Sequence, residues 1–219
     1  LFNFHSGAIS GADLCPFNHA AATCGADGSV RMWDYIAKSP ICTFRSPAAA
    51  TCLTWAARAV DPEGRTICVG YADGVLRILA RCKDGLQLKS ALKPHPVALS
   101  ALAYSPDGAH LATGAADGSV FFLSVNRGAY SPVGFMNFPP KKGAADNATP
   151  PAVTTLVWAA EDALCVGYAD GTVAQLNLPT EVDTSETFEL AFDGIVYNEM
   201  PIVEARRNAI KMARALEKS

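Results

Sequence analysis

The sequence predicts an all-β fold, a β-propeller of which about four blades are present as part of a larger propeller, followed by a C-terminal helix. Three observations predict it. The tripeptide Ala-Asp-Gly recurs at residues 26–28, 72–74, 116–118 and 169–171, each time inside a near copy: CGADGSVRMWDY, VGYADGVLRILA, TGAADGSVFFLS and VGYADGTVAQLN. The four aspartates Asp27, Asp73, Asp117 and Asp170 follow one another at intervals of 46, 44 and 53 residues, and a period of roughly 40 to 45 marks one propeller blade per repeat. Asp-Gly between two apolar, β-rich runs is also the strongest short-range hairpin signal, because both turn residues accept the backbone that a tight turn requires.

Each repeat supplies the rest of a four-stranded antiparallel unit. ATCGADGSVRMW reads as strand, turn, strand. Upstream, ADLCPFNHAAAT and ALAYSPDGAHLAT each give another hairpin, the second turned by Ser105-Pro106-Asp107-Gly108, where Pro sets φ and Gly relieves the turn. LTWAARAVDPEGRTICVG does the same with a longer loop. A fourth strand follows each Asp-Gly hairpin: PICTFRS, LQLKSAL, SPVGFMNF and ETFELAF. The stretched third interval is accounted for by Pro139 to Pro151, a Pro/Gly/Ala run that cannot continue a strand and reads as a surface loop presenting Lys141 and Lys142. The propeller blades therefore occupy residues 1–192, and residues 193–219 form an exit linker and helix.

Composition limits the function. The 219 residues are 50% hydrophobic and 18% charged, enough apolar material for a sizeable core. The net charge is −3 with Lys and Arg scattered, which gives no footprint for nucleic acid or an anionic membrane. No run reaches the 18 apolar residues of a membrane helix. Seven cysteines, Cys15, Cys24, Cys42, Cys52, Cys68, Cys82 and Cys165, contain no CxxC pair and sit mostly in apolar runs, so they read as reduced thiols packed as small hydrophobes, as in a cytosolic compartment. The expectation is no cofactor and no metal: the four histidines are far apart, without paired Cys or carboxylate ligands at useful spacing. GxGxxG, GxxxxGK[ST], GxSxG and HExxH motifs do not occur. Asn147-Ala148-Thr149 matches a glycosylation sequon by chance.

The residues resemble the WD40 repeat family, whose name comes from a Trp-Asp pair closing the third strand. Only Trp33-Asp34 keeps that pair. The resemblance implies a pin in each blade, made by a His before the first strand, a Ser or Thr in the second and the Asp of the hairpin turn. His5 lies 22 residues before Asp27 and His95 lies 22 before Asp117; Thr23 and Thr113 each precede their aspartate by four. In the other repeats Val69 and Val166 take the Thr position and no His stands at the right distance. Repeats one and three should therefore be pinned by His5, Thr23, Asp27 and Trp33 and by His95, Thr113 and Asp117, each His within hydrogen-bond range of its Asp. Repeats two and four should be apolar, with Tyr71 and Tyr168 inserted, and Asp73-Gly74 and Asp170-Gly171 as plain turns. His19 and His110 should be solvated beside their turns. A His, a hydroxyl and an Asp also suit a nucleophile triad, but equal spacing in two repeats fits architecture, because an active site need exist only once.

The wording between the repeats narrows the resemblance to the axonemal WD-repeat subunits of cilia and flagella. VDPEGR, VGYADGVLRIL and KPHPVALSALAY carry it, and it extends into LNLPTEVDTSETFEL. The resemblance implies a non-catalytic tether of inner-arm dynein I1/f. Its implied partners are a sister WD-repeat subunit, inner-arm dynein heavy chains and doublet-associated proteins. Two other classes stay open: a general WD40 interaction module, such as a ubiquitin-ligase substrate receptor or a peptide reader, and a propeller enzyme. At the C-terminus, Ile202, Ala205, Ala209, Met212 and Leu216 follow a 3, 4, 3, 4 spacing behind Pro201, which reads either as a helix capping the last blade or as the start of a coiled coil.

Overall fold

A computed structural model describes residues 5–137 and 150–178. They form fifteen strands and, among the described residues, no helix. The expected fourth strand ETFELAF, the loop with Lys141 and Lys142, and the exit helix lie outside the described residues.

Three complete blades run in chain order. Blade 1 is β1 (Ile9–Leu14), β2 (Ala20–Gly25), β3 (Ser29–Asp34) and β4 (Ser39–Arg45). Blade 2 is β5 (Ala50–Trp55), β6 (Thr66–Tyr71), β7 (Leu76–Cys82) and β8 (Gly85–Leu92). Blade 3 is β9 (Leu99–Tyr104), β10 (His110–Ala115), β11 (Ser119–Asn126) and β12 (Ala129–Asn137). Blade 4 shows β13 (Val153–Trp158), β14 (Ala163–Tyr168) and β15 (Val173–Asn177). Within each sheet the strands pair antiparallel with their chain neighbours, so each blade is a meander. The first strands lie side by side, β1 against β5, β5 against β9 and β9 against β13.

The repeat is closer than the sequence alone displays. Every first strand carries a bulge at its second residue, and that residue is a hydroxyl in all four blades: Ser10, Thr51, Ser100 and Thr154. An unpaired bulge residue leaves backbone groups without a ladder partner, and in blades 1 and 4 the hydroxyl donates to a nearby carbonyl. Ser10 Oγ donates to the carbonyl of Ala50 in the next blade at 2.5 Å, and Thr154 Oγ1 to the carbonyl of Gly167 at 3.0 Å.

The core lies between blades. One cluster joins Ala112, Val120 and Phe122 of blade 3 to Val153, Leu164 and Val166 of blade 4; equivalent clusters fill the two earlier joints. Each buried aliphatic or aromatic side chain contributes roughly 1.5–3 kcal/mol, so every blade depends on its neighbours. Indole groups add directed bonds: Trp55 Nε1 donates to the Asp13 carbonyl at 3.3 Å and Trp158 Nε1 to the Ala103 carbonyl at 3.0 Å, each across a joint.

Candidate functional site

The four Asp-Gly turns join second to third strands on one face of the molecule. In each, the aspartate Oδ1 accepts the backbone N–H two residues on, from Ser29, Val75, Ser119 and Thr172 at 3.0, 3.1, 3.1 and 2.9 Å. That self-bonded Asx turn leaves the following glycine at positive φ, 71° at Gly28, 80° at Gly74 and Gly118, and 82° at Gly171. Around this common frame the blades differ.

Blade 1 brings His5, Thr23, Asp27 and Trp33 together. Trp33 Nε1 donates to Thr23 Oγ1 at 2.9 Å, His5 Nε2 meets the same hydroxyl at 2.9 Å, and His5 Nδ1 meets Asp27 Oδ1 at 3.1 Å. With the indole as donor, the Thr23 hydroxyl is free to donate to Nε2, which leaves the imidazole proton on Nδ1 for Asp27. Ser29 Oγ also donates to Asp27 at 2.8 Å, and the Ser6 N–H does so at 3.1 Å. Burial raises the Asp27 pKa, but hydrogen bonds from His5, Ser29 and Ser6 outweigh it and hold the carboxyl well below its ordinary value. Asp34, the other half of the Trp-Asp pair, works separately: its Oδ1 accepts the N–H groups of Ile36 and Ala37 at 2.9 and 2.7 Å and shapes the turn into β4.

Blade 3 corrects the expected contact between His95 and Asp117. The Ser119 hydroxyl stands between them, 2.8 Å from His95 Nδ1 and donating to Asp117 Oδ1 at 2.6 Å. His95 Nε2 meets Thr113 Oγ1 at 2.8 Å. Ser119 donates to the carboxylate, so its oxygen accepts from Nδ1–H, while Nε2 also lies 3.2 Å from the Thr113 carbonyl oxygen. Burial lowers the His95 pKa to about 4, against the opposing pull of Asp117 and the Thr113 hydrogen bond. Phe121 packs edge-on against the imidazole, where blade 1 has Arg31.

Blade 2 is not apolar, as its missing His and Thr suggested. Arg77 reaches back to Asp73 with two bonds, Nη1 to Oδ1 at 3.2 Å and Nη2 to Oδ2 at 2.8 Å, and its guanidinium lies 4.2 Å from the centre of the Tyr71 ring. A bidentate pair and a stacked cation take the place of the imidazole. In blade 4, Asp170 Oδ2 accepts from Thr172 Oγ1 at 2.9 Å and Tyr168 is buried in the core. His19 is exposed, edge-on to Tyr35. His110 departs from expectation: it is half-buried and stacked on Trp158 of the next blade.

The sequence reading missed Ser29, Ser119 and Arg77. Ser29 and Ser119 had a signal, for Ser follows Ala-Asp-Gly only in the two repeats that hold a His.

These constellations are poorly built for nucleophilic catalysis. Ser119 and His95 are almost fully enclosed, and the Ser119 proton points to the carboxylate, whereas a triad needs it directed at the imidazole. All seven cysteines are free; burial pushes the Cys52 thiol to about 12 and Cys68 to about 11, which keeps both protonated. Among the described residues, no group of three His, Cys, Asp or Glu is placed to hold a metal ion.

The family model described as WDR90, 4th beta-propeller, matches residues 11–133, from within β1 to β12. The chain belongs to this WD-repeat propeller family. Its curated relatives include cilia- and flagella-associated protein 44 of Mus musculus, 33% identical over 88% of this chain and 11% of the relative, and that of Chlamydomonas reinhardtii, 32% identical over 85% of this chain and 11% of the relative. WD repeat-containing protein 90 of Homo sapiens is 34% identical over 55% of this chain and 7% of the relative. The chain spans about a tenth of the length of these proteins. The Trp-Asp pair stands in one of the four described blades, where the Trp33 indole donates to Thr23; Leu123 takes the Trp position in blade 3.

Proposed function

We propose that this chain is a non-catalytic scaffold module of the ciliary and flagellar axoneme, part of the tether that holds inner-arm dynein I1/f motor domains to the doublet microtubule and regulates beating. The observation that carries the reading is similarity across nearly the whole chain to cilia- and flagella-associated protein 44 from a mouse and an alga, with a trypanosome relative 25% identical over 85% of the chain. The architecture supports it. The polar networks are absorbed in holding turns, so the work left to the blades is geometric: rigid surfaces for several protein contacts.

Its partners on this reading are a sister WD-repeat subunit, the dynein heavy chains and doublet-associated proteins. A net charge of −3 offers no steering toward an acidic microtubule wall, so contact with the doublet runs through other subunits. The test is to locate the tagged protein in ciliated cells and to record beating after its loss. The expected result is an axonemal fraction and altered beating with dynein mispositioned. A cytosolic or nuclear signal without an axonemal fraction would overturn the proposal and favour a substrate receptor.

A further inference from the structure

Three positions meet at the inner end of each joint between blades, and the sizes of their side chains are reciprocal. One is the third residue of a blade's first strand, one is the second-strand residue paired with it, and one is the first residue of the next blade's first strand. Between blades 1 and 2 these are Gly11, Cys24 and Ala50; between blades 2 and 3, Cys52, Gly70 and Leu99; between blades 3 and 4, Ala101, Gly114 and Val153.

Space, and not backbone, requires the glycines here. Gly70 and Gly114 stay out of the left-handed region that the turn glycines occupy. A Cβ on Gly70 would lie 2.6 Å from Cys52 Sγ and 2.8 Å from Leu99 Cβ, and one on Gly114 would lie 2.5 Å from Val153 Cγ1. In blade 1 the thiol has changed strands. Cys24 Sγ lies 3.1 Å from where a Cβ on Gly11 would stand, so the bare position is on the first strand instead of the second. The residue that the next blade brings to this thiol is the small Ala50: the Ser10 hydroxyl lies 2.5 Å from its carbonyl oxygen and 3.3 Å from Cys24 Sγ. Ala50, Leu99 and Val153 are each 1% exposed, so none of the three has room to swing aside.

We infer that these size-matched sets specify which blade packs on which. Where the second-strand member is glycine the next blade supplies Leu or Val, and where it is cysteine the next blade supplies Ala. A mismatch is refused from either side: Leu against Cys24 overpacks the joint, and Ala against Gly70 leaves a void. Repeats with near-identical turns are prone to misassembly, and a steric difference discriminates among them where their turns do not.

The test transplants the blade 1 set onto the joint of blades 2 and 3 and follows urea unfolding of the whole chain, with circular dichroism as the check of fold. Gly70→Ala alone is expected to raise the unfolding equilibrium constant about tenfold or more by overpacking, and Leu99→Ala alone to do so by opening a cavity. Exchanging the thiol between strands, Cys52→Gly with Gly70→Cys, is expected to be at least as damaging while Leu99 remains. Adding Leu99→Ala to that pair completes the set and is expected to recover at least about tenfold, although the same substitution is harmful by itself. If the double variant does not fold, return of a cooperative transition in the triple variant is the same result. A triple variant no more stable than the double, or a Gly70→Ala midpoint equal to that of the native chain, would overturn the inference.

Discussion

Blades 1 and 3 hold the same three residue types at the same spacing, yet they connect them differently. In blade 1 the imidazole touches the carboxylate directly, an indole feeds the shared hydroxyl, and Asp27 keeps further donors in Ser6 and Ser29. Ser29 also lies 3.0 Å from His5 Nδ1 beside that direct contact, whereas in blade 3 the equivalent Ser119 alone relays it, an aromatic ring closes one side, and the imidazole is enclosed. The number of alternative partners left to each group decides how much one residue matters. Asp27 would survive the loss of its histidine with several donors in place, whereas Thr113 and Ser119 would face a cavity.

The comparison can be broken most forcefully at the turns beneath the networks. Gly74→Ala forces positive φ on an alanine and drives its Cβ into the His95 carbonyl oxygen, part of the loop that positions the blade 3 histidine. An unfolding cost above about 3 kcal/mol is expected. Gly171→Ala is expected to meet mainly the φ penalty, about 1 kcal/mol, because no described residue lies within 4 Å of an added Cβ. Urea midpoints of the two variants give both numbers, and equal costs would contradict the roofed turn.

His95→Ala is next, expected to cost about 2–3 kcal/mol by leaving buried hydroxyls and a void. His5→Ala is expected to cost about 1 kcal/mol, since Asp27 keeps its serine donors. Reversal of that order by chemical denaturation would show that the direct carboxylate contact outweighs enclosure.

Acid should separate the blades with smaller steps. The His95 pKa of about 4 in the folded state lies below its ordinary 6.5, so between those values the unfolded chain binds a proton that the native state refuses. Its contribution is therefore complete above about pH 6.5 and falls as pH drops toward 4, by at most about 1.4 kcal/mol per unit. Asp27 acts in a lower window, because a carboxyl held below its ordinary 3.8 stabilises above that pH and loses its contribution only beneath it. Stability profiles of His95→Gln should lose the upper slope and keep the lower one; an unchanged upper slope would assign it elsewhere.

Much of this architecture was legible in the chain. Asp-Gly between β-rich runs placed every second-to-third hairpin, because the turn is local and only a few residue types fit it. The Ser10, Trp55 and Trp158 bonds were not legible, since their partners lie in another blade. Arg77 shows why residue type alone was insufficient. Arg31 occupies the same position in blade 1, but with Asp27 already engaged by His5 it donates to Ser29 at 3.2 Å. Without a histidine in blade 2, the same side chain takes the aspartate itself. Blade 3 was misjudged by one hydroxyl, for the spacing from His95 to Asp117 fixes that they approach and not which atom fills the gap.

The most direct measurement is the titration of the imidazole nitrogens by long-range proton–nitrogen NMR correlation, with His5 and His95 assigned by substitution. A buried, relayed His95 should hold a single neutral Nδ1–H tautomer across neutral pH and take up a proton only near pH 4. A His95 that averages its tautomers and titrates close to 6.5 would contradict the enclosed network on which the contrast between the blades rests.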